Sequence, residues 1–274
     1  MGMGPVEVVL YYGTLAALLW FVVVRTPTEK ERRSWARSYG LEITPVNERA
    51  VRRYLARSQR WRRVGFVLGW LAASGLDRRD GNDFLGSWWL LAGVGYSLGI
   101  VAAEATRHPR VESGAASLEP RHLDQYLPRW LTWVPRVLTA AVVVAAVVAL
   151  TGSRALTLSD PQILVLAAVA AGVLAGAELI ERAVVARRQP VSEPDLLAAD
   201  DAMRTQSAHA LAGAVIIAAG SLWSILLFSY GDELLGATAR QTFAALLPAA
   251  AWVVGIVVQN LAWRVRRLLP AGPS

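Results

Sequence analysis

The chain has 274 residues, of which 54% are apolar and 18% charged, with no cysteine and a formal net charge of +7. Soluble domains carry about 25% charged and about 45–50% apolar residues, and the mean hydropathy here is positive, +0.37. That composition excludes disorder for most of the chain, and the lack of cysteine excludes disulfides, thiolate nucleophiles and cysteine-ligated metals, which leaves a multi-spanning helical membrane protein.

A membrane helix needs about 20 predominantly apolar residues. Residues 6–24 qualify, with Glu7 at the rim. No basic stretch precedes this run, Arg25 follows it, and no small-x-small site closes it. It is therefore expected to be a retained anchor, not a cleaved signal peptide. Residues 64–76 are the weakest candidate, caught between Arg62-Arg63 and Asp77. They cross only by borrowing flanks such as Trp61 or by thinning the bilayer, and a re-entrant segment is the alternative. Residues 85–105 are apolar up to Glu104, and 131–150 qualify if Arg136 extends its stem to the interface. Residues 163–180 qualify if Glu178 lies at the edge; 208–230 and 243–263 qualify easily. The expected fold class is an all-α polytopic membrane bundle of seven spans, six if 64–76 is re-entrant, forming a single transmembrane domain over 1–274.

Basic residues concentrate on the cytoplasmic side of membrane proteins. Segments 25–63, 107–136, 182–204 and 264–267 hold 24 of the 28 Lys and Arg. The other four are Arg78, Arg79, Arg154 and Arg240. The expected orientation is N-terminus outside and C-terminus cytoplasmic, in a bacterial cytoplasmic membrane. This bias explains the net positive charge without nucleic acid. One Lys against 27 Arg, amid abundant Ala and Val, suggests a GC-rich bacterial genome.

The cytoplasmic segments also predict an internal repeat. Three of them open on a proline, at Thr44-Pro45, Glu119-Pro120 and Glu193-Pro194, as suits a first helical turn. Each is expected to run as a short surface helix into a membrane hairpin. Tyr54-Leu55-Ala56-Arg57 and Tyr126-Leu127-Pro128-Arg129 match as Tyr-Leu-x-Arg, with Trp61 and Trp133 each four residues beyond the Arg. In the third, degenerate copy only Arg204 fits. Glu104 and Glu178 end the second helices of the first two hairpins. The units cover about 43–106, 118–182 and 192–264, after the leading span 6–24. The Arg53-to-Arg57 and Tyr126-to-Trp130 segments, with the Arg, Ala and Val bias, resemble uncharacterised multi-spanning integral membrane proteins of actinobacteria. That resemblance implies a source and carries over no active residues.

Charged groups inside a bilayer are costly and mark function by default. The candidates are Glu104, Arg136, Glu178 and Glu181, all near cytoplasmic helix ends, with Glu178 and Glu181 three apart on one face. They form either a carboxylate cluster for proton or cation coupling, or structural pairs, Arg63 with Glu104 and Arg136 with Glu178. Arg49, Arg53, Arg57 and Arg60 recur at helical spacing opposite Val46, Ala50, Tyr54 and Trp61. This predicts a basic amphipathic helix on an anionic membrane surface, with Arg129 as a further docking residue for lipid or a cytoplasmic partner. His108, His122 and His209 lack metal-site spacing, and His209 is expected to be a satisfied packing group. Gly65-x3-Gly69, Gly95-x3-Gly99 and Gly172-x3-Gly176 are small-xxx-small motifs expected at close helix contacts. No P-loop or dinucleotide fingerprint occurs, and the single Lys30 lies outside the expected spans. Pro248 offers the one candidate break inside a span.

These features predict a non-enzymatic integral membrane subunit or scaffold without a cofactor. Its expected partner is a protein subunit on the cytoplasmic side, such as a separate transport ATPase docking at 44–63 and 120–129. The alternative is a small-solute or ion transporter using Glu104, Glu178 and Glu181.

Overall fold

The computed structural model of the chain describes residues 25–80, 87–107, 122–152, 158–187, 193–229 and 237–260, with positions 13, 14, 17 and 20 before them. The expected leading span 6–24 falls outside the described residues apart from those four positions, as do His108 and the Glu119-Pro120 opening.

The described residues form seven α-helices and no strand. The short helix α1 (Glu29–Ser38) starts at a capping box: the Glu31 amide donates to Thr28 Oγ1 at 3.3 Å, and the Thr28 amide donates to Glu31 Oε2 at 2.9 Å. It ends at Gly40, whose φ of 63° lets the Leu41 amide fold back onto Ala36 O at 2.9 Å. Asn47 then braces the turn into α2, its Oδ1 accepting from the Thr44 amide and its Nδ2 donating to Glu42 O.

Helix α2 (Glu48–Asp80) has 33 residues and is about 50 Å long at 1.5 Å per residue. This corrects the expected break between a surface helix and the segment 64–76, because the two are one continuous helix. Nothing between Glu48 and Asp80 interrupts it: there is no proline, and of its three glycines Gly65 and Gly69 lie against another helix. The third segment expected to be cytoplasmic is likewise continuous with the apolar stretch that follows it, as α6 below. Among the described residues a break precedes the apolar helix in the middle segment, where a 3₁₀ turn (Leu123–Gln125) and Pro128 precede α4.

Helices α3 (Ser87–Ala105), α4 (Arg129–Thr151), α5 (Asp160–Ala186), α6 (Pro194–Ser229) and α7 (Ala237–Asn260) complete the bundle. Among the described residues, three helical stretches are long and apolar enough to cross a membrane: Arg129–Thr151, Asp160–Ala186 and Pro194–Leu227. The apolar stretches Leu90–Ala105 and Leu246–Asn260 are shorter. Helix α7 continues through Pro248, so the candidate break is not one.

Helix α6 is the axis. It packs against α3, α4, α5 and α7, and residues 202–219 are buried without interruption. A helix apolar on all faces is one surrounded by others. Helices α4 and α5 instead expose an outer face of Val137, Val144, Val148, Leu164, Val165 and Leu179, as a lipid-facing surface requires.

Glycine sets the closest approaches. A Cβ on Gly65 or Gly99 would fall within 3.0 Å of backbone on the opposite helix, as would one on Gly69 or Gly95. The two motifs thus mate with each other, antiparallel, between α2 and α3. The third does not: Gly172 has nothing within 4 Å, and Gly176 meets only Val101 at 3.6 Å. A second close seam, between α6 and α7, uses Gly213 against Gly255 and Gly220 against Ala251.

At one end of the bundle, α1 and the first turns of α2 and α6 enclose their own small core. Ala36, Tyr39, Val51, Tyr54, Leu55, Ala199, Ala202 and Met203 are all buried there. The apolar face of the basic segment therefore rests on protein, not on a bilayer surface. Val46, expected on that face, is exposed.

Candidate functional site

The polar side chains gather where this cap meets the bundle. Helices α3 and α5 end there, while α2 and α6 run through. Glu104, on the last turn of α3, is 1% exposed. Its Oε2 accepts from Ser207 Oγ of α6 at 2.7 Å, and its Oε1 from the Tyr54 hydroxyl of α2 at 3.4 Å. Burial, reinforced by the neighbouring Glu104 carboxylate, pushes the Tyr54 pKa up, so the phenol stays a neutral donor. The expected Arg63–Glu104 pair does not form. Arg63 donates to Gln59 Oε1 at 2.8 Å on its own helix and to the carbonyl of Arg25. Register and face together explain this: Gly99 packs at Trp61 and Arg62, so Glu104 lies level with Tyr54 and Ser58 on the buried face of α2, more than a turn from Arg63, which lies off that face.

Around Glu104 stand three arginines. Arg204 of α6 is 2% exposed and is fully engaged: Nε donates to Asp200 Oδ2 at 2.7 Å, and Nη1 to the Val184 and Val185 carbonyls at 2.8 and 3.2 Å. It thereby caps the C-terminal end of α5. Arg187, just beyond α5, donates Nη2 to the Glu104 carbonyl at 3.0 Å, and its Nη1 is buried without a partner. Arg107, just beyond α3, lies over the Tyr54 ring at 4.9 Å, with Asp200 Oδ1 at 3.7 Å. Tyr39 of α1 hydrogen-bonds Gln206 of α6, and Arg57 donates to the Thr106 carbonyl, so cap and bundle are tied at several points.

The other candidates form a second group on α4 and α5. Arg136 Nε donates to Glu178 Oε1 at 2.6 Å, as expected, and its guanidinium lies 5.5 Å from the Trp133 ring centre. Glu181 is buried one turn further along the same face, and Arg136, Glu178 and Glu181 line one shallow crevice between α4, α5 and α6. The three carboxylates are therefore not one cluster: Glu104 belongs to the cap junction, and Glu178 and Glu181 to this crevice.

The basic stripe divides as well. Arg49, Arg53 and Arg60 are exposed on α2, and Arg129 is exposed at the start of α4, whereas Arg57 is half-buried and engaged. Trp130 and Trp133 beside Arg129 are exposed, in keeping with an interfacial belt. His209 is fully buried, with Nδ1 at 2.9 Å from Thr205 O and Nε2 without a partner, so it is only half satisfied. His122 and Asp124 are exposed, and among the described residues no three His, Asp or Glu side chains gather as a metal site.

Sequence reasoning did not single out Arg107, Arg187, Asp200 or Ser207. A signal was present: Asp200, Arg204 and Ser207 follow i, i+4, i+7 spacing, one face of a helix. The helix expected to open at Pro194 had to be followed unbroken into 208–230 for that face to show. No protein family, curated protein or solved structure matches the chain.

Proposed function

We propose that the chain is a non-enzymatic, multi-pass subunit or scaffold of a complex in a bacterial cytoplasmic membrane. In this reading seven spans cross the bilayer, the N-terminus is outside, and the cap lies in the cytoplasm. The bundle comprises a leading span and three hairpins, α2–α3, α4–α5 and α6–α7, with the burial of both Tyr54-Leu55 and Tyr126-Leu127 supporting common ancestry of the first two.

One observation carries the docking role. The cap is joined to the bundle by two uninterrupted helices, α2 and α6, and it presents Arg49, Arg53 and Arg60 on an exposed stripe. A continuous helix transmits displacement as a rigid rod, so a partner held at the cap would be mechanically coupled to the membrane. An acidic cytoplasmic surface, such as that of a separate transport ATPase, fits the stripe's charge. Purification in mild detergent from the native host tests this. A partner retained by the unaltered protein should be lost when Arg49, Arg53 and Arg60 are all changed to Gln. Retention by that variant at full stoichiometry refutes the docking site.

The transporter reading is supported by the crevice holding Glu181 beside Arg136 and Glu178. In that case Glu178→Gln abolishes a coupled flux, whereas it leaves an assembly role nearly intact.

A further inference from the structure

Among the described residues, the junction between cap and bundle carries more positive charge than it neutralises. Arg107, Arg187 and Arg204 face two carboxylates, Glu104 and Asp200, and Arg62 lies within electrostatic reach of Glu104 as well. Arg204 consumes most of what is available: it takes Asp200 at 2.7 Å and two carbonyls of α5. Glu104 already accepts from Ser207 and Tyr54. What remains for Arg107 is loose. Its contacts are 3.4 Å to Ser207 Oγ, 3.5 Å to Met203 Sδ and 3.7 Å to Asp200 Oδ1, against about 2.7–2.9 Å for a charge-assisted hydrogen bond. Arg187 keeps a buried Nη1 with no acceptor at all. Burial and the neighbouring Arg107 push the Arg187 pKa down, with Arg204 adding to the effect.

An unpaired guanidinium N–H in a half-buried, like-charged setting is costly unless an anion completes it. Arg107 and Arg187 stand just beyond the ends of two apolar helices, α3 and α5, at the level of a bilayer's headgroups if those helices are embedded. Arg107 is 15% exposed, so the fork is reachable from outside.

We propose that Arg107 and Arg187 form a binding site for one phosphate-bearing anion, with Arg204 fixed behind them as a structural cation. Guanidinium forks match a phosphate's oxygens, and phosphate supplies the acceptors that the carbonyls and carboxylates here do not. The site rests on the bilayer reading above but not on the docking role, because it is separate from the exposed Arg49–Arg53–Arg60 stripe.

The test uses the full chain in phosphatidylcholine nanodiscs. Two probes are titrated separately, inorganic phosphate and phosphatidylglycerol at rising mole fraction, with thermal unfolding and retained lipid by native mass spectrometry as readouts. Saturable stabilisation is expected, weakened about tenfold or more by Arg187→Gln or Arg107→Gln and kept by Arg53→Gln. A response to phosphate alone assigns a free anion, and one tightly retained phosphatidylglycerol assigns a lipid headgroup; either supports the site. Arg187→Gln removes a repelled charge, so it should fold at least as well as the parent in phosphatidylcholine. Arg187→Lys, keeping the charge but not the planar fork, should bind more tightly than Arg187→Gln and less tightly than the parent. No response to either probe overturns the proposal. So does equal binding by Arg187→Gln, or an Arg53→Gln loss as large as the Arg187→Gln loss.

Discussion

Gly95→Ala is the sharpest perturbation of the bundle. A Cβ at Gly95 would lie 2.8 Å from Gly69 Cα and 2.9 Å from Gly69 N, and nearer still to the Gly65 carbonyl. All three are backbone atoms, so no rotamer change relieves the clash. Ordinary carbon contacts begin near 3.5 Å, so α2 and α3 must separate by at least about 0.7 Å. That gap forfeits dispersion along the whole seam, and overpacking of this kind costs about 1–3 kcal/mol. Gly172→Ala is the control, because nothing lies within 4 Å of its Cβ. There the higher helix propensity of Ala contributes up to about 1 kcal/mol of stability. Gly95→Ala gains the same propensity, so unfolding of the two variants in graded denaturing detergent, followed by helicity and Trp fluorescence, should place them about 1–3 kcal/mol apart, the overpacking cost alone. Gly65→Ala added to Gly95→Ala should cost less than its effect alone, since the first change has already parted the helices. Equal stability of Gly95→Ala and Gly172→Ala would refute the interlocked seam.

Three further outcomes are expected. Arg204→Met strands Asp200 and two α5 carbonyls, and should destabilise by about 3–5 kcal/mol; a loss under about 1 kcal/mol in the same assay contradicts its structural role. A double-mutant cycle of Arg136→Gln and Glu178→Gln should give a coupling under about 1 kcal/mol, because the pair is only partly buried; a larger coupling would mean that the crevice excludes water. The Glu31 carboxyl is held below its ordinary value of 4.5, first by the Thr28 amide and then, against burial, by Arg25. A depressed folded pKa stabilises fully above that ordinary value, and the gain is lost as pH falls through the lowered pKa. Protection of the α1 amides, that is exchange relative to the intrinsic rate at each pH, should therefore fall on acidification in the parent and be flat in Glu31→Gln. Identical pH profiles would exclude the cap as the cause.

Composition and periodicity determined that this chain is helical and apolar enough for a bilayer, because helix length against bilayer thickness is a one-dimensional property. The Arg136–Glu178 pair was legible for a related reason: both lie at matching depths of adjacent antiparallel segments. The Gly65 and Gly95 motifs were visible, yet nothing in their spacing separated them from Gly172-x3-Gly176, since a motif states that approach is permitted and not which helix approaches. Arg63 and Glu104 miss each other because the glycine seam sets the register: Gly99 packs at Trp61 and Arg62, which leaves Glu104 level with Tyr54, more than a turn from Arg63. The tertiary structure decided that α2 and α6 run on unbroken, which turned an expected surface helix into one wall of a cap. It also decided the charge surplus at the cap. Arg107, Arg187, Arg204, Glu104 and Asp200 come from three separate helical regions, and only their packing reveals that the guanidiniums outnumber the carboxylates beside them.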